Sequence, residues 1–354
     1  MDRRNVWKTY TQAELKEMED ISVRYKRCLD EGKTERECVE VTERLAEEAG
    51  YRPLSSYVEA GSPLKEGDKI YATFMGKMIL LFQIGKEPLE NGMNILGAHI
   101  DSPRIDIKQN PLYETDEMSY LDTHYYGGIK KYQWLATPLS LHGVIVKKDG
   151  TKVRVNIGEN ENDPVFVITD LLIHLAGKQM SQKASEVIEG DSLDLLIGSR
   201  PLTEAEGLKE DEKEAVKAGV LHLLEETYGI GEEDFASAEL EIVPAGKARD
   251  CGIDRSMILS YGQDDRVCAF TSLFAMLDNP QLTRTACCIL VDKEEIGSVG
   301  ATGMHSRFFE NTVAELIALS GVRIRIKSKK SSSEFQDAFF RRKCCLRSDV
   351  RICI

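Results

Sequence analysis

The chain has 354 residues, of which 42% are apolar and 30% charged, and its net charge is -13. That apolar share excludes a chain disordered throughout, and the length allows roughly two domains of about 100–200 residues. The negative balance argues against a nucleic-acid or anionic-membrane partner, and no run approaches the roughly 18 apolar residues of a membrane span. Nine cysteines without a CxxC pair, behind an N-terminus that lacks an apolar signal stretch, predict reduced thiols in a cytoplasm.

Residues 10–50 predict two helices. Thr11 followed by Glu14 spells a capping box, and apolar positions then recur every three or four residues as far as Ala49. Lys33-Thr34 splits the stretch and Gly50 can stop it. Residues 70–74 and 78–84 read as paired strands turned at Gly76-Lys77. Residues 94–100 read as a fully buried strand. Its C-terminal end delivers His99 and Asp101, where open α/β sheets place their sites. From about residue 107 to 244 the texture changes to turn-punctuated strands, at 139–147, 152–157 and 240–243, with an acidic helical stretch over 202–227. The α/β texture returns at Lys247, with a helix over 265–277 and a buried strand over 285–291.

The expected architecture is therefore α/β. A discontinuous catalytic domain, residues 1–106 and 247–321, holds a mixed sheet flanked by helices and is interrupted by a β-rich insert over 107–246. Residues 322–354 carry ten lysines and arginines against three acids, a charge of +7 that leaves -20 for the rest. Neither helical nor strand periodicity persists there. The segment reads as out of register with what precedes it, as after a shifted reading frame, in preference to a basic disordered tail.

Three acidic signatures arrive in fixed order: His99-Ile100-Asp101, Asp264-Asp265-Arg266, and Asp292-Lys293-Glu294-Glu295-Ile296-Gly297-Ser298. Each sits where an apolar element meets a loop. Alone, each has a plain explanation: a strand-end histidine paired with an aspartate, acids at a helix N-terminus, a solvated acidic turn. Together they supply an imidazole and several carboxylates, the donors that hold zinc-class ions. Adjacent carboxylates repel, so Glu294-Glu295 near Asp292 costs stability unless a cation is present. One of the pair can bind a metal while the other serves as a general base toward water. The glycine series 297–303 lacks the Lys-Ser/Thr of a phosphate loop, and no GxSxG elbow occurs.

The segments Gly97-Ala98-His99-Ile100-Asp101-Ser102-Pro103, Tyr261-Gly262-Gln263-Asp264-Asp265-Arg266-Val267-Cys268 and Asp292 to Ser298 resemble the aspartyl aminopeptidase / vacuolar aminopeptidase family of zinc metallopeptidases. Tyr126-Gly127-Gly128-Ile129-Lys130-Lys131-Tyr132-Gln133-Trp134 resembles that family's substrate-side loop, and the likeness spans roughly residues 10–321. The resemblance implies a co-catalytic site with two zinc ions per subunit that removes N-terminal amino acids from peptides. His99 would bind one zinc, Asp264 would bridge both and Glu295 would bind the other. Glu294 would be the general base and Asp101 would orient His99. The resemblance further implies that the insert is a dimerisation domain, with dimers assembling to a dodecamer.

The family completes its site with a further Asp and a C-terminal His. Here the only histidine beyond Asp265 is His305, and Asp349 falls in the basic segment. The alternative function is thus a crippled assembly subunit of the same fold. An amidohydrolase or carboxypeptidase on the same two-metal scaffold is a third reading.

Overall fold

A computed structural model describes residues 5–208 and 213–321. The expectations for residues 322–354, including Asp349, lie outside the described residues. Helices α1 (Gln12–Glu31) and α2 (Glu35–Glu48) each open on a capping box, Thr11 with Glu14 and Thr34 with Glu37. Each box satisfies two backbone N–H groups that a helix start leaves without intrahelical partners. β1 (Arg52–Pro53) and α3 (Leu54–Ala60) lead to the hairpin β2 (Lys69–Phe74) and β3 (Met78–Gln83). β4 (Asn94–His99) follows. Much later in the chain come α5 (Gln263–Leu277), β13 (Ala286–Val291) and α6 (Phe308–Leu319).

These strands make one mixed sheet in the order β1-β2-β3-β13-β4, with β13 antiparallel to β3 and parallel to β4. Every residue of β3 and β13 is buried, because helices cover both faces. Along β3, Ile79 and Leu81 point to the layer of α1, α2 and α5, while Met78, Leu80 and Phe82 point to α3 and α6. Burying one such Leu or Phe side chain contributes about 1.5–3 kcal/mol. β4 departs from the expected fully buried strand. It is the edge of this sheet among the described residues, and Leu96 is exposed while Ala98 and His99 are buried.

Between β4 and β13 in the chain lie β5 (Arg104–Thr115), β6 (Met118–Tyr126), β7 (Leu139–Val146), β8 (Lys152–Ile157), β9 (Leu195–Gly198) and β10 (Ala238–Pro244). They form an antiparallel sheet in the order β8-β7-β10-β5-β6-β9 around a separate apolar core. Helix α4 (Ala215–Tyr228) packs on it. It starts later than the helical stretch expected from residue 202, whose earlier part holds, among the described residues, only a 3-10 turn, Glu204–Glu206, ending at the left-handed Gly207. A short hairpin, β11 (Arg249–Cys251) with β12 (Met257–Leu259), returns the chain to α5.

Buried charges join the two sheets. The Arg104 guanidinium lies 2.7 Å from Asp106, 3.1 Å from Glu241 and 3.2 Å from Glu35. Glu35 also takes the Lys77 ammonium at 2.7 Å. His142 of β7 spans Glu37 at 2.9 Å and Glu159 at 3.2 Å.

Candidate metal centre

The register pairs Val291 of β13 with His99 of β4, so the carboxyl ends of two parallel strands stop side by side. The chain after each strand builds one wall of the site. The ladder runs one residue further, from Ile100 N–H to the Val291 carbonyl at 2.8 Å. Lys293 and Gly297 then take positive φ on either side of a short 3-10 turn, Glu294–Ile296, which swings Glu294 and Glu295 back over His99.

The third wall is the start of α5. Asp264 and Asp265 have non-helical backbone angles, and the peptide between them is cis. The regular helix therefore begins after Asp265, whose carboxyl accepts from the backbone N–H and thiol of Cys268. Asp264 faces outward with an 87% exposed side chain, and its carbonyl accepts from the Ser102 hydroxyl at 2.9 Å.

One ligand atom from each of His99, Asp264 and Glu295 lies within 4.8 Å of the others. His99 Nε2 is 3.4 Å from Asp264 Oδ1 and 3.8 Å from Glu294 Oε2. Glu294 is the more exposed of the acidic pair. Burial raises the Glu295 carboxyl above its ordinary range, helped by Asp264, Asp101 and Glu294 and opposed by His99. Burial disfavours a charged His99 ring, yet hydrogen bonding and charge from Asp101 outweigh it and lift the pKa to about 9.

Asp101 follows the end of the strand by two residues. β4 ends at His99, and the ring Nδ1 is closer to the Asp101 backbone carbonyl, at 2.9 Å, than to its carboxylate, at 3.4 Å. The fully buried carboxylate also accepts from the backbone N–H groups of Glu294 and Glu295, each at 3.2 Å, and from the Tyr126 hydroxyl at 2.7 Å. Burial opposes its charge, but the bonds from His99 and Tyr126 hold its pKa below the usual value. Asp292 is buried beneath the turn, where its carboxylate accepts from Thr302 Oγ1 at 2.6 Å and the Lys293 N–H at 2.8 Å. His305 is exposed and stands outside the ligand cluster.

Sequence reasoning placed Tyr126 in a loop motif without a role. No spacing rule links it to Asp101, 25 residues earlier. It gave no role to Arg266 of the second signature, which is fully buried and donates to the carbonyl of Ile100 at 3.2 Å and of Lys33 at 2.8 Å. Arg266 thereby ties the α5 start to the backbone between His99 and Asp101.

A mixed sheet between helix layers, with an imidazole and carboxylates gathered at the carboxyl ends of adjacent parallel strands, defines a metallohydrolase-like α/β protein. A family model described as aminopeptidase I zinc metalloprotease (M18) matches residues 28–339. A probable M18 family aminopeptidase 1 from Clostridium acetobutylicum is 56% identical over 328 residues, which are 93% of this chain and 70% of that relative. The crystal structure of an M18 family aminopeptidase from Thermotoga maritima aligns with a TM-score of 0.83 and 44% identity, over 91% of this chain and 68% of that one. A structure of the S. cerevisiae mApe1 dodecamer shares the fold at 20% identity, with a TM-score of 0.66 over 86% of this chain and 67% of that one. The chain belongs to the M18 family of zinc aminopeptidases and is a metalloaminopeptidase, a hydrolase of peptide bonds. The family match runs on into the basic segment after residue 321 that the sequence sets apart.

The donors present fit zinc. One imidazole nitrogen and two carboxylates are its ordinary ligands, and their mutual approach leaves like charges that a cation would neutralise.

Proposed function

We propose that this chain removes N-terminal amino acids from peptides at a co-catalytic two-zinc site in which His99 and Glu295 each hold one ion and Asp264 bridges them. The observation that carries this reading is the convergence of those three ligand atoms within 4.8 Å, from segments far apart in the chain. Zinc bound there would polarise the scissile carbonyl and lower the pKa of the attacking water. Glu294, beside His99 and open to solvent, would accept a proton from the attacking water and pass it to the leaving amine. Asp101 holds His99 and the Glu294–Glu295 turn in fixed relation.

The proposed division of the chain is a catalytic domain over 1–106 and 247–321 with an insert over 107–246 that mediates dimerisation. Support for assembly into a homo-oligomer, up to a dodecamer, comes from exposed apolar residues of the insert: Leu171, Leu172, Ile173, Leu175 and Met180. The net charge and the reduced cysteines fit a cytoplasmic setting.

Zinc content of the purified chain after dialysis against buffered zinc, together with release of free amino acids from peptides, tests the reading. Close to two zinc per chain is expected, with turnover lost in Glu294→Gln while the fold and zinc remain. Retained turnover in Glu294→Gln would remove Glu294 as the base. Zinc near zero would leave a non-catalytic assembly subunit of the same fold.

A further inference from the structure

The metal ligands come from the mixed sheet and its loops, but one support of their arrangement comes from the other sheet. Tyr126 is the last residue of β6 and pairs in register with Arg104, the first of β5. Two cations contact its ring, the Arg104 guanidinium 4.0 Å from the centroid and the Lys293 ammonium at 5.2 Å. Its hydroxyl donates to Asp101 Oδ2 at 2.7 Å. That oxygen also accepts the Glu295 N–H, and the other Asp101 oxygen accepts the Glu294 N–H. The acidic turn is thus attached to Tyr126 twice: through Asp101, and through the side chain of Lys293, which immediately precedes Glu294. Next along the chain, Gly127 approaches Glu295 so closely that an added Cβ would stand 3.1 Å from the Glu295 Cβ.

We propose that Tyr126 is a positioning residue for the site, through which the inserted sheet fixes the Glu294–Glu295 turn that carries the proposed general base and a proposed zinc ligand. The physical reason is directional. A carboxylate with two oxygens can accept from many angles, and each added donor narrows the orientations left to it. The Tyr126 hydroxyl is the shortest of the three bonds, and it leaves Asp101 facing the two turn amides in a single orientation. The Arg104 guanidinium over the ring holds Tyr126 to the inserted sheet, so the hydroxyl does not follow the turn if the turn moves. Arg104 is itself held by Glu35, Asp106 and Glu241, so the clamp is anchored in the charges that join the sheets.

The significance of this role for catalysis rests on the metal-site reading above, and one of the two measurements is independent of it. In Tyr126→Phe the ring and its cation contacts remain and only the hydroxyl goes. In the metal-free protein, the amides of Glu294 and Glu295 are expected to exchange with solvent about tenfold faster than in wild type, the loss typical of a hydrogen bond to a charged group. In the zinc-loaded protein, competition with a chelator is expected to show about 10–100-fold weaker zinc binding, as when a ligand's supporting partner is removed. Tyr71→Phe is the control, because its hydroxyl reaches Glu47 at 2.8 Å, away from the site. That variant is expected to change neither readout. Unchanged amide exchange in Tyr126→Phe would overturn the proposal, as would equal acceleration in Tyr71→Phe. Should wild type bind no zinc, the metal-site reading fails, while the amide exchange still decides whether Tyr126 holds the turn.

Discussion

Replacing Gly262 by alanine tests how the start of α5 is held against the end of β4. Gly262 has φ +76, and an added Cβ would stand 2.8 Å from the guanidinium carbon of Arg266, with Nη1 closer still. Arg266 cannot swing away, because it is fully buried and its Nε and Nη2 hold the carbonyls of Ile100 and Lys33. Forcing alanine into the left-handed region costs about 1–2 kcal/mol. Losing two hydrogen bonds from a buried charged group costs about 1.5–3 kcal/mol each. The sum, about 4–8 kcal/mol, is comparable with the whole stability of a typical domain. Gly150→Ala isolates the backbone cost, since Gly150 has φ +87 and nothing lies within 4 Å of its added Cβ. In parallel urea titrations followed by circular dichroism, Gly262→Ala should shift the midpoint several times further than Gly150→Ala, or fail to accumulate folded. Equal midpoint shifts for the two variants would show that Arg266 yields freely and would refute the argument.

Two further perturbations follow from the same contacts. Gly127→Ala brings a Cβ to 3.4 Å from Glu295 Oε2 at a backbone φ of +71, so zinc titration should show weakened binding with a stability loss of only about 1–2 kcal/mol; unchanged zinc affinity would mean the loop gives way instead. Burial disfavours charge on His142, but Glu159 and Glu37 outweigh it and raise the pKa above its ordinary value of about 6.5. A raised histidine stabilises fully below that ordinary value and loses its contribution as pH rises through the folded value. Wild type should therefore lose more stability between about pH 6 and pH 9 than His142→Gln does, and parallel slopes in denaturant titrations at the two pH values would contradict this.

The parts legible in the sequence are those that local chemistry decides. Thr11 with Glu14 and the break at Lys33-Thr34 announce α1 and α2, because capping bonds form between residues three apart. The buried strand β13 is announced by its unbroken apolar run, and the acids of the candidate centre by their place at element ends. What stayed hidden depends on partners distant in sequence. Nothing in residues 94–100 says that β4 lies at the edge of the described sheet, since an apolar run reads alike in either place. Asp101 looked like a neighbour of His99 along a strand, and only the folded chain shows it receiving two amides from residues 193 and 194 positions later. Among the three acids of the third signature, only tertiary structure separates buried Asp292, bonded to Thr302, from the two glutamates that face the cluster.

The centre also shows a division of labour between apolar and polar contacts. Packing on both faces of β13 fixes that strand beside β4, but burial of apolar surface has no preferred direction and cannot aim a side chain. The aiming falls to a few buried polar groups: Asp101 for the glutamate turn, Arg266 for the strand end and Asp292 for the turn beyond β13. Each is a charged or chargeable group taken out of water, and hydrogen bonds offset part of that cost, through Nε and Nη2 in the case of Arg266. Such groups stabilise little in net terms when intact, yet removing one partner is costly. Substitutions in this second rank should therefore injure the site more than their distance from any bound ion suggests. Apolar substitutions of similar volume in β3 or β13 should lower stability first and leave ligand geometry largely in place.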